Sequence, residues 1–353
     1  MRLETLGWNS FFESQLTQEE KDLYIPARVA EEQKNSYWLF SERGDLLGEI
    51  AGRMRYLATA REDFPAVGDW VLARARGEER RATIHRILVR RSKFSRKSAG
   101  EKTEEQIVAA NVDSALIVSS LNRDLNLRRI ERYLTLAWQS GARPVLLLNK
   151  ADLCANPLKE TERVERAVQG VPVHAASART GQGMQALDPY LGTGQTVALL
   201  GSSGVGKSTL VNRLVGTELQ RVREIREEDD RGRHATTCRE LIILPRGGIL
   251  LDTPGMRELR LWDSDDGLER TFQDIEALAR ECRFRNCRHG TEPGCAVRQA
   301  LEEGELESCR FQSYQKLEKE LAYLARKQDA LAALRLKKEW KKIHKSLKRS
   351  PHR

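Results

Sequence analysis

Three things are missing from this sequence. No apolar run approaches the ~18 residues of a membrane-spanning helix, so no membrane partner is expected. The opening MRLETLGWNSFFESQ has no basic, apolar and small-residue cleavage pattern, so no secretion signal is read and a cytoplasmic location is expected. Cysteine is scarce: six in 353 residues is no disulfide framework for a chain of this size and fits a reducing compartment. No internal repeat is found. Large apolar residues are also scarce in two internal stretches, 90–105 and 217–239. The first reads as a linker whose basic residues can touch phosphate. A polar stretch as long as the second, inside a compact domain, is either functional or disordered.

What is present points to more than one core. A chain of 353 residues and 40.2 kDa suggests two or three domains, and 40% hydrophobic with 31% charged residues is ordinary for a globular protein. The net charge of +9 is local: residues 335–353 hold nine Lys/Arg against Glu339, a charge of +8. Such a tail has the electrostatic footprint of a nucleic-acid partner, the plain alternative being a solvated helical end.

From Tyr24 to Val89 short apolar runs alternate with turn signals at Gly44-Asp45, Pro65 and Gly68-Asp69. Strands are expected at 28–30, 37–40, 46–50, 69–75 and 83–89. Five short strands suggest a small barrel, with the OB-fold as leading candidate. Tyr37, Trp38 and Trp70 either fill its core, the commoner fate, or stack on bases. Beyond the linker the period changes. Buried strands at 113–119, 144–148, 171–175 and 196–200 alternate with helical patterns at 127–139, 163–168 and 183–191, which means a parallel sheet covered on both faces. Residues 241–244 and 248–251 read as a hairpin, and 268–281, 298–307 and 311–349 as helices. Residues 1–21 carry no strong pattern.

The chemistry begins after the strand at 196–200. Gly201-Ser202-Ser203-Gly204-Val205-Gly206-Lys207-Ser208 fits G-x-x-x-x-G-K-[ST], and a helical pattern follows from Thr209. The glycines let the backbone turn tightly enough to point successive N–H groups at an anion, and the helix adds its positive dipole end. Lys207 would reach the β- and γ-phosphates, which makes it a catalytic as well as a binding candidate, and the Ser208 hydroxyl would ligate Mg²⁺. A phosphate loop names no base, but Asn149-Lys150-Ala151-Asp152 at a strand end does. A carboxylate at the fourth position accepts from the N1–H and 2-amino groups of guanine, a donor pair that adenine lacks. Asn149 would orient the loop and reach the base edge, and Lys150 would lie over the ribose and base. In Ser177-Ala178-Arg179 the Ala178 N–H can donate to guanine O6. Asp252-Thr253-Pro254-Gly255 completes a γ-phosphate switch: Asp252 would hold Mg²⁺ through water, and the Gly255 N–H would sense the γ-phosphate. The hydroxyls of Ala235-Thr236-Thr237 would complete the Mg²⁺ shell. The parts are out of their usual order, since the base-reading segments precede the phosphate loop. The domain is therefore circularly permuted, and the switch at Gly255 runs directly into whatever follows it.

Cys282, Cys287, His289 and Cys295 give C-x4-C-x-H-x5-C. Three thiolates and one imidazole suit one closed, structural zinc site per chain. Cys154, Cys238 and Cys309 read as ordinary buried or free thiols.

On these motifs the chain resembles the bacterial ribosome small subunit-dependent GTPase A family, over roughly 24–310. The resemblance rests on the permuted order of N-K-A-D, S-A-R, G-S-S-G-V-G-K-S-T and D-T-P-G, on the small barrel and on the knuckle. It implies a multidomain α/β protein: an OB-fold barrel at 22–92, a circularly permuted P-loop GTPase domain at 93–262 and a helical zinc-binding domain at 263–334. Residues 1–21 are then an extension and 335–353 a basic tail. It also implies binding to the 30S subunit and its 16S rRNA late in maturation, and GTP hydrolysis stimulated by that subunit. A monomer is expected. The family often has H-T-T-T where this chain has His234-Ala235-Thr236-Thr237, and Thr236 is taken as the Mg²⁺ ligand.

Met256 follows D-T-P-G and cannot orient water as a glutamine there does in many GTPases, so slow intrinsic hydrolysis is expected. His234 is the candidate to position the attacking water once a partner orders its loop, the alternative being a solvated histidine. Two rival functions remain. One is a non-enzymatic RNA-binding assembly factor whose guanine-nucleotide site only regulates affinity. The other is an ATP-dependent P-loop enzyme, against which Asp152 argues.

Overall fold

The N-terminal strands obey a period of two. Ala27 and Val29 of β1 (Ile25–Glu32), Tyr37 and Leu39 of β2 (Tyr37–Ser41) and Leu46 of β3 (Gly44–Ile50) share one buried core. Val71 and Ala73 of β4 (Trp70–Arg76) and Ala82 and Ile84 of β5 (Arg81–Ile87) complete it. Pairing runs β1–β2–β3–β5–β4 and back to β1, which closes a five-stranded barrel. The parallel β3–β5 pair and the helix Gly52–Leu57 between β3 and β4 make it an OB-fold. The expected strands are all there, shifted by a few residues at their ends. The structure is a computed structural model in which residues 1–76, 79–97, 105–122, 125–216, 240–252 and 266–326 are described.

Strand β4 is buried on both faces, which explains its unbroken run of four apolar residues. Val71 and Ala73 face the barrel core, while Trp70 and Leu72 face outward against Leu3, Leu6, Phe12 and Leu88. Residues 1–21 therefore form part of a second core, although they carried no strong pattern. Their short helices Ser10–Glu13 and Gln18–Leu23 are capped by Asn9 and by a Thr17/Glu20 capping box. The Trp8 ring meets Trp70 edge-on at 4.8 Å. Trp70 is thus a core residue, as is Tyr37, whose hydroxyl is pushed up to about 12 by burial. Trp38 is half-buried.

Arg28 ties these pieces together. Its buried guanidinium donates to the carbonyls of Leu6, Gly68 and Asn111, and burial pushes its pKa down to about 10.

Part of the expected linker is ordered. Residues 90–105 contribute β6 (Lys93–Lys97) and the first residue of β7 (Glu105–Ala110), which pair as a two-stranded sheet, and Phe94 is buried. Arg90 is engaged with protein rather than presented to phosphate. It donates twice to the buried Asp69 carboxylate at 2.8 Å and also to the Glu62 and Phe64 carbonyls. The composition read as a linker because, Phe94 apart, its few buried side chains are polar.

A second sheet carries the nucleotide motifs. β8 (Ser114–Ser120), β9 (Arg143–Asn149), β10 (Val173–Ala175), β11 (Thr196–Leu200), β12 (Glu240–Ile243) and β13 (Ile249–Asp252) lie in the order β10-β9-β8-β11-β13-β12. All pairings are parallel except the β12–β13 hairpin. β8 and β11 are buried along their whole length, as strands covered by helices on both faces must be. The helix Leu127–Ser140 is capped by Asn126 and ended by Gly141 at φ 84°. Glu31 of β1 pairs with Glu240 of β12, which joins barrel and sheet within one compact unit.

The second unit contains the C-terminal helices. The pattern expected over 268–281 is broken at Phe272 into Asp266–Thr271 and Gln273–Arg280, and the next helix is Ala296–Glu303. A helix over 308–326 follows, beyond which the basic pattern lies outside the described residues. Arg310 on that helix pairs with Asp274 at 2.6 Å and lies over the Phe272 ring.

Candidate functional site

β11 delivers the chain to Gly201 at φ 144°, and Gly204 and Gly206 follow at 82° and 97°, all in the region that favours glycine. Two of these glycines are also required by space. A Cβ on Gly201 would sit 2.4 Å from the Val118 carbonyl of β8, and one on Gly206 would sit 2.3 Å from the Asn149 side-chain amide. The helix over 207–216 begins at once, with the Leu210 N–H donating to Gly206 O. Lys207 folds back over the loop, its ammonium donating to the Gly201 and Ser202 carbonyls at 2.7 and 2.6 Å. Ser208 and Thr209 are exposed in the first turn of that helix, and Ser203 and Gly204 are exposed in the loop before it.

Asn149 ends β9 and is 2% exposed. Its amide nitrogen donates to Val205 O in the phosphate loop at 2.8 Å, and its amide oxygen accepts from Ala178 N–H at 2.9 Å. One buried side chain thus joins three loops that are far apart in sequence. Lys150 takes a left-handed turn at φ 63°, and its ammonium reaches Gly204 O at 2.7 Å. Asp152 is exposed in the turn Ala151–Leu153. Ser177 is fully buried, its hydroxyl accepting from Thr180 N–H. The Ala178 N–H, expected to serve guanine O6, is engaged by Asn149.

β13 runs parallel to β11 with Leu251 opposite Ala198, so the backbone of Asp252 arrives beside the start of the phosphate loop. His234, Thr236, Gly255 and Met256 lie outside the described residues, as do Cys238 and the tail at 335–353.

In the second unit Cys282, Cys287, His289 and Cys295 form a Cys3His cluster that could hold a metal ion, their ligand atoms all within 4.8 Å of one another. Cys282 Sγ is 3.8 Å from Cys295 Sγ and 3.6 Å from His289 Nδ1, which is 3.4 Å from Cys295 Sγ. His289 adopts φ 58°, and its N–H donates to Cys287 Sγ, while Cys295 caps the helix Ala296–Glu303 through Arg298 N–H. Cys154 is half-buried and Cys309 exposed, neither in a disulfide, and the Cys309 thiol donates to the Glu307 carboxylate at 3.2 Å.

A family model described as RsgA GTPase matches residues 87–262. A protein of Opitutus terrae named "Small ribosomal subunit biogenesis GTPase RsgA" is 45% identical over 98% of this chain and 96% of its own length. The chain belongs to the RsgA GTPase family. An Oceanobacillus iheyensis protein named "Small ribosomal subunit biogenesis GTPase RsgA 1" is also 45% identical, over 92% of this chain and 93% of its own. The crystal structure of YjeQ from Thermotoga maritima superposes with a TM-score of 0.63 at 27% identity, covering 85% of this chain and 99% of that one. YloQ, a circularly permuted GTPase, shares the fold at a TM-score of 0.61 and 24% identity, over 87% and 98% of the two chains.

Two residues near the site escaped the sequence patterns. Arg129, in the first turn of the helix Leu127–Ser140, donates to the Ser202 hydroxyl at 3.0 Å. Arg213, on the helix after the phosphate loop, donates to the Ala178 and Arg179 carbonyls. Neither lies in a motif, and only their helical positions place them near the site.

Proposed function

We propose that this chain is a GTPase acting in small ribosomal subunit biogenesis, hydrolysing GTP to GDP and phosphate. The observation that carries the guanine-nucleotide assignment is Asn149, whose buried amide joins the phosphate loop to the two base-reading loops. In this role Asp152 accepts from the guanine N1–H and 2-amino groups. The N–H groups of 201–209 cradle the phosphates, and Lys207 exchanges its loop carbonyls for β- and γ-phosphate oxygens. Ser208, Asp252 and Thr236 present hydroxyl and carboxylate oxygens, a donor set that suits Mg²⁺. Bound there, the ion would neutralise charge on the β- and γ-phosphates. Met256 leaves the attacking water without an orienting amide, and the His234 imidazole positions that water instead when the 30S subunit is bound.

The Cys3His cluster fits zinc. A tetrahedral site with ordinary zinc–ligand bonds has S···S edges of about 3.8 Å and S···N edges of about 3.5 Å, close to the 3.8, 3.6 and 3.4 Å separations among Cys282, His289 and Cys295, with the Cys287 sulfur within 4.8 Å of each. Four protein ligands leave no place for water, so the role is structural. The working division of the chain is an extension at 1–21, the barrel at 22–92, the permuted GTPase domain at 93–262, the zinc-binding domain at 263–334 and the tail at 335–353. The partners are 16S rRNA within the 30S subunit and GTP or GDP, with the protein acting as a cytoplasmic monomer. The +8 tail anchors to rRNA phosphates through counterion release.

The test is GTP turnover with and without purified 30S subunits. Strong stimulation is expected. Nucleotide binding without turnover at saturating 30S would favour the non-enzymatic factor, and equal turnover of ATP would remove the guanine assignment. Deleting 335–353 should raise the 30S concentration needed for half-maximal stimulation and flatten its salt dependence, leaving saturated turnover alone. His234→Ala should do the reverse.

A further inference from the structure

We infer that Arg213 determines base specificity by holding the Ala178–Arg179 peptide so that the Arg179 N–H donates to guanine O6; this rests on the guanine-site assignment above. Arg213 lies on the helix over 207–216, three residues before its last described position. Its Nε donates to Ala178 O, and a terminal nitrogen donates to Arg179 O at 2.7 Å. One edge of a planar guanidinium thus spans two successive carbonyls with two donors held in a fixed fork. The loop is shaped to admit it. Gly181 has φ 92°, and a Cβ there would sit 2.9 Å from Arg213 Nη1.

Peptide planarity carries the consequence. In a trans peptide the C=O of one residue and the N–H of the next point to opposite sides, and no cis bond occurs among the described residues. Holding Ala178 C=O toward the helix therefore turns the Arg179 N–H away from it. The amides of the loop can be accounted for one by one. Ser177 N–H donates to Gln182 O, Ala178 N–H to Asn149 Oδ1, Thr180 N–H to Ser177 Oγ and Gly181 N–H to Ser177 O. Among the described residues, only the Arg179 N–H of 177–181 has no acceptor. The sequence alone pointed to Ala178 as the O6 donor; the geometry shifts that role by one residue, because Asn149 takes the Ala178 N–H. Arg213 touches no substrate and is a positioning residue.

The experiment compares GDP with 6-thio-GDP by titration calorimetry on the full chain. The thio analogue keeps the N1–H and 2-amino groups read by Asp152 and replaces O6 with a poor acceptor. One hydrogen bond is worth about tenfold in affinity, so the unsubstituted protein should prefer GDP by about that factor. Arg213→Ala and Arg213→Met should bring the preference to about twofold, chiefly by weakening GDP. If Arg213→Ala does not fold, Arg213→Met carries the test, since it keeps an unbranched stem and removes both donors. A tenfold preference retained in the variants would overturn the inference, including when both nucleotides weaken alike, which is what a merely structural arginine would produce. Absence of a GDP preference over 6-thio-GDP in the unsubstituted protein would overturn it too. If that protein also fails to prefer GDP over ADP, the guanine-site assignment itself has failed.

Discussion

Replacing Asn149 by alanine tests whether one side chain assembles the nucleotide site. The substitution leaves two partners without their bonds, Val205 O at 2.8 Å and Ala178 N–H at 2.9 Å, in a place where Asn149 is only 2% exposed. Each buried group left unpaired costs about 1–3 kcal/mol. Together they cost about 2–6 kcal/mol, or about 30- to 25,000-fold in an equilibrium constant. If the loops keep their places, the loss falls on stability; if they part, it falls on nucleotide affinity, because binding must reassemble them. The two should therefore be measured on one preparation, by urea unfolding without nucleotide and by GDP titration. Asn149→Asp should not rescue. It keeps an acceptor for Ala178 N–H but sets a carboxylate oxygen against the Val205 carbonyl. Gly206→Ala should act in the same direction, since its Cβ would press within 2.3 Å of the Asn149 amide nitrogen. An Asn149→Ala protein with an unchanged urea midpoint and GDP affinity within threefold would refute the bridging role.

Four further outcomes are expected. Lys207→Ala and Ser208→Ala should each abolish most GTP turnover, and unchanged rates in both would remove the phosphate-loop assignment. Asp152→Asn should weaken GTP and improve xanthosine triphosphate, because the 2-amino donor of guanine is an acceptor in xanthine; affinities for both nucleotides decide it. Cys287→Ser should lose one zinc per chain by metal analysis and unfold the segment 282–295, since structural zinc binding is coupled to folding. Phe12→Ala should lower the stability of the first unit by about 3 kcal/mol in urea unfolding, because Phe12 packs against Trp70 within a fully buried cluster.

Short-range signals were legible and long-range ones were not. Gly201 to Ser208, Asn149 to Asp152 and the Cys3His spacing each place their chemistry within a few residues, so composition and order suffice to find them. The barrel strands were legible because one buried face imposes alternation. The N-terminal helices were not, because Leu6 and Phe12 are buried by Trp70 and Leu72, some sixty residues away. The Thr17/Glu20 capping box was a local clue to their boundaries but not to their packing. The segment 90–105 misled for a related reason: Arg90 is basic in composition yet paired with a buried carboxylate supplied by Asp69.

The sequence by itself determined the nucleotide motifs, their permuted order, the metal-ligand spacing and the kinds of fold around them, because each is written in neighbouring residues. Tertiary structure decided how those parts cooperate. It alone turned Asn149 toward both Val205 and Ala178, laid Arg213 across two carbonyls of the base-reading loop, and closed Arg28 under Leu6, Gly68 and Asn111. Hydrogen-bond partners are fixed by which backbone groups the fold brings within 3 Å, and no local pattern in a chain encodes that distance.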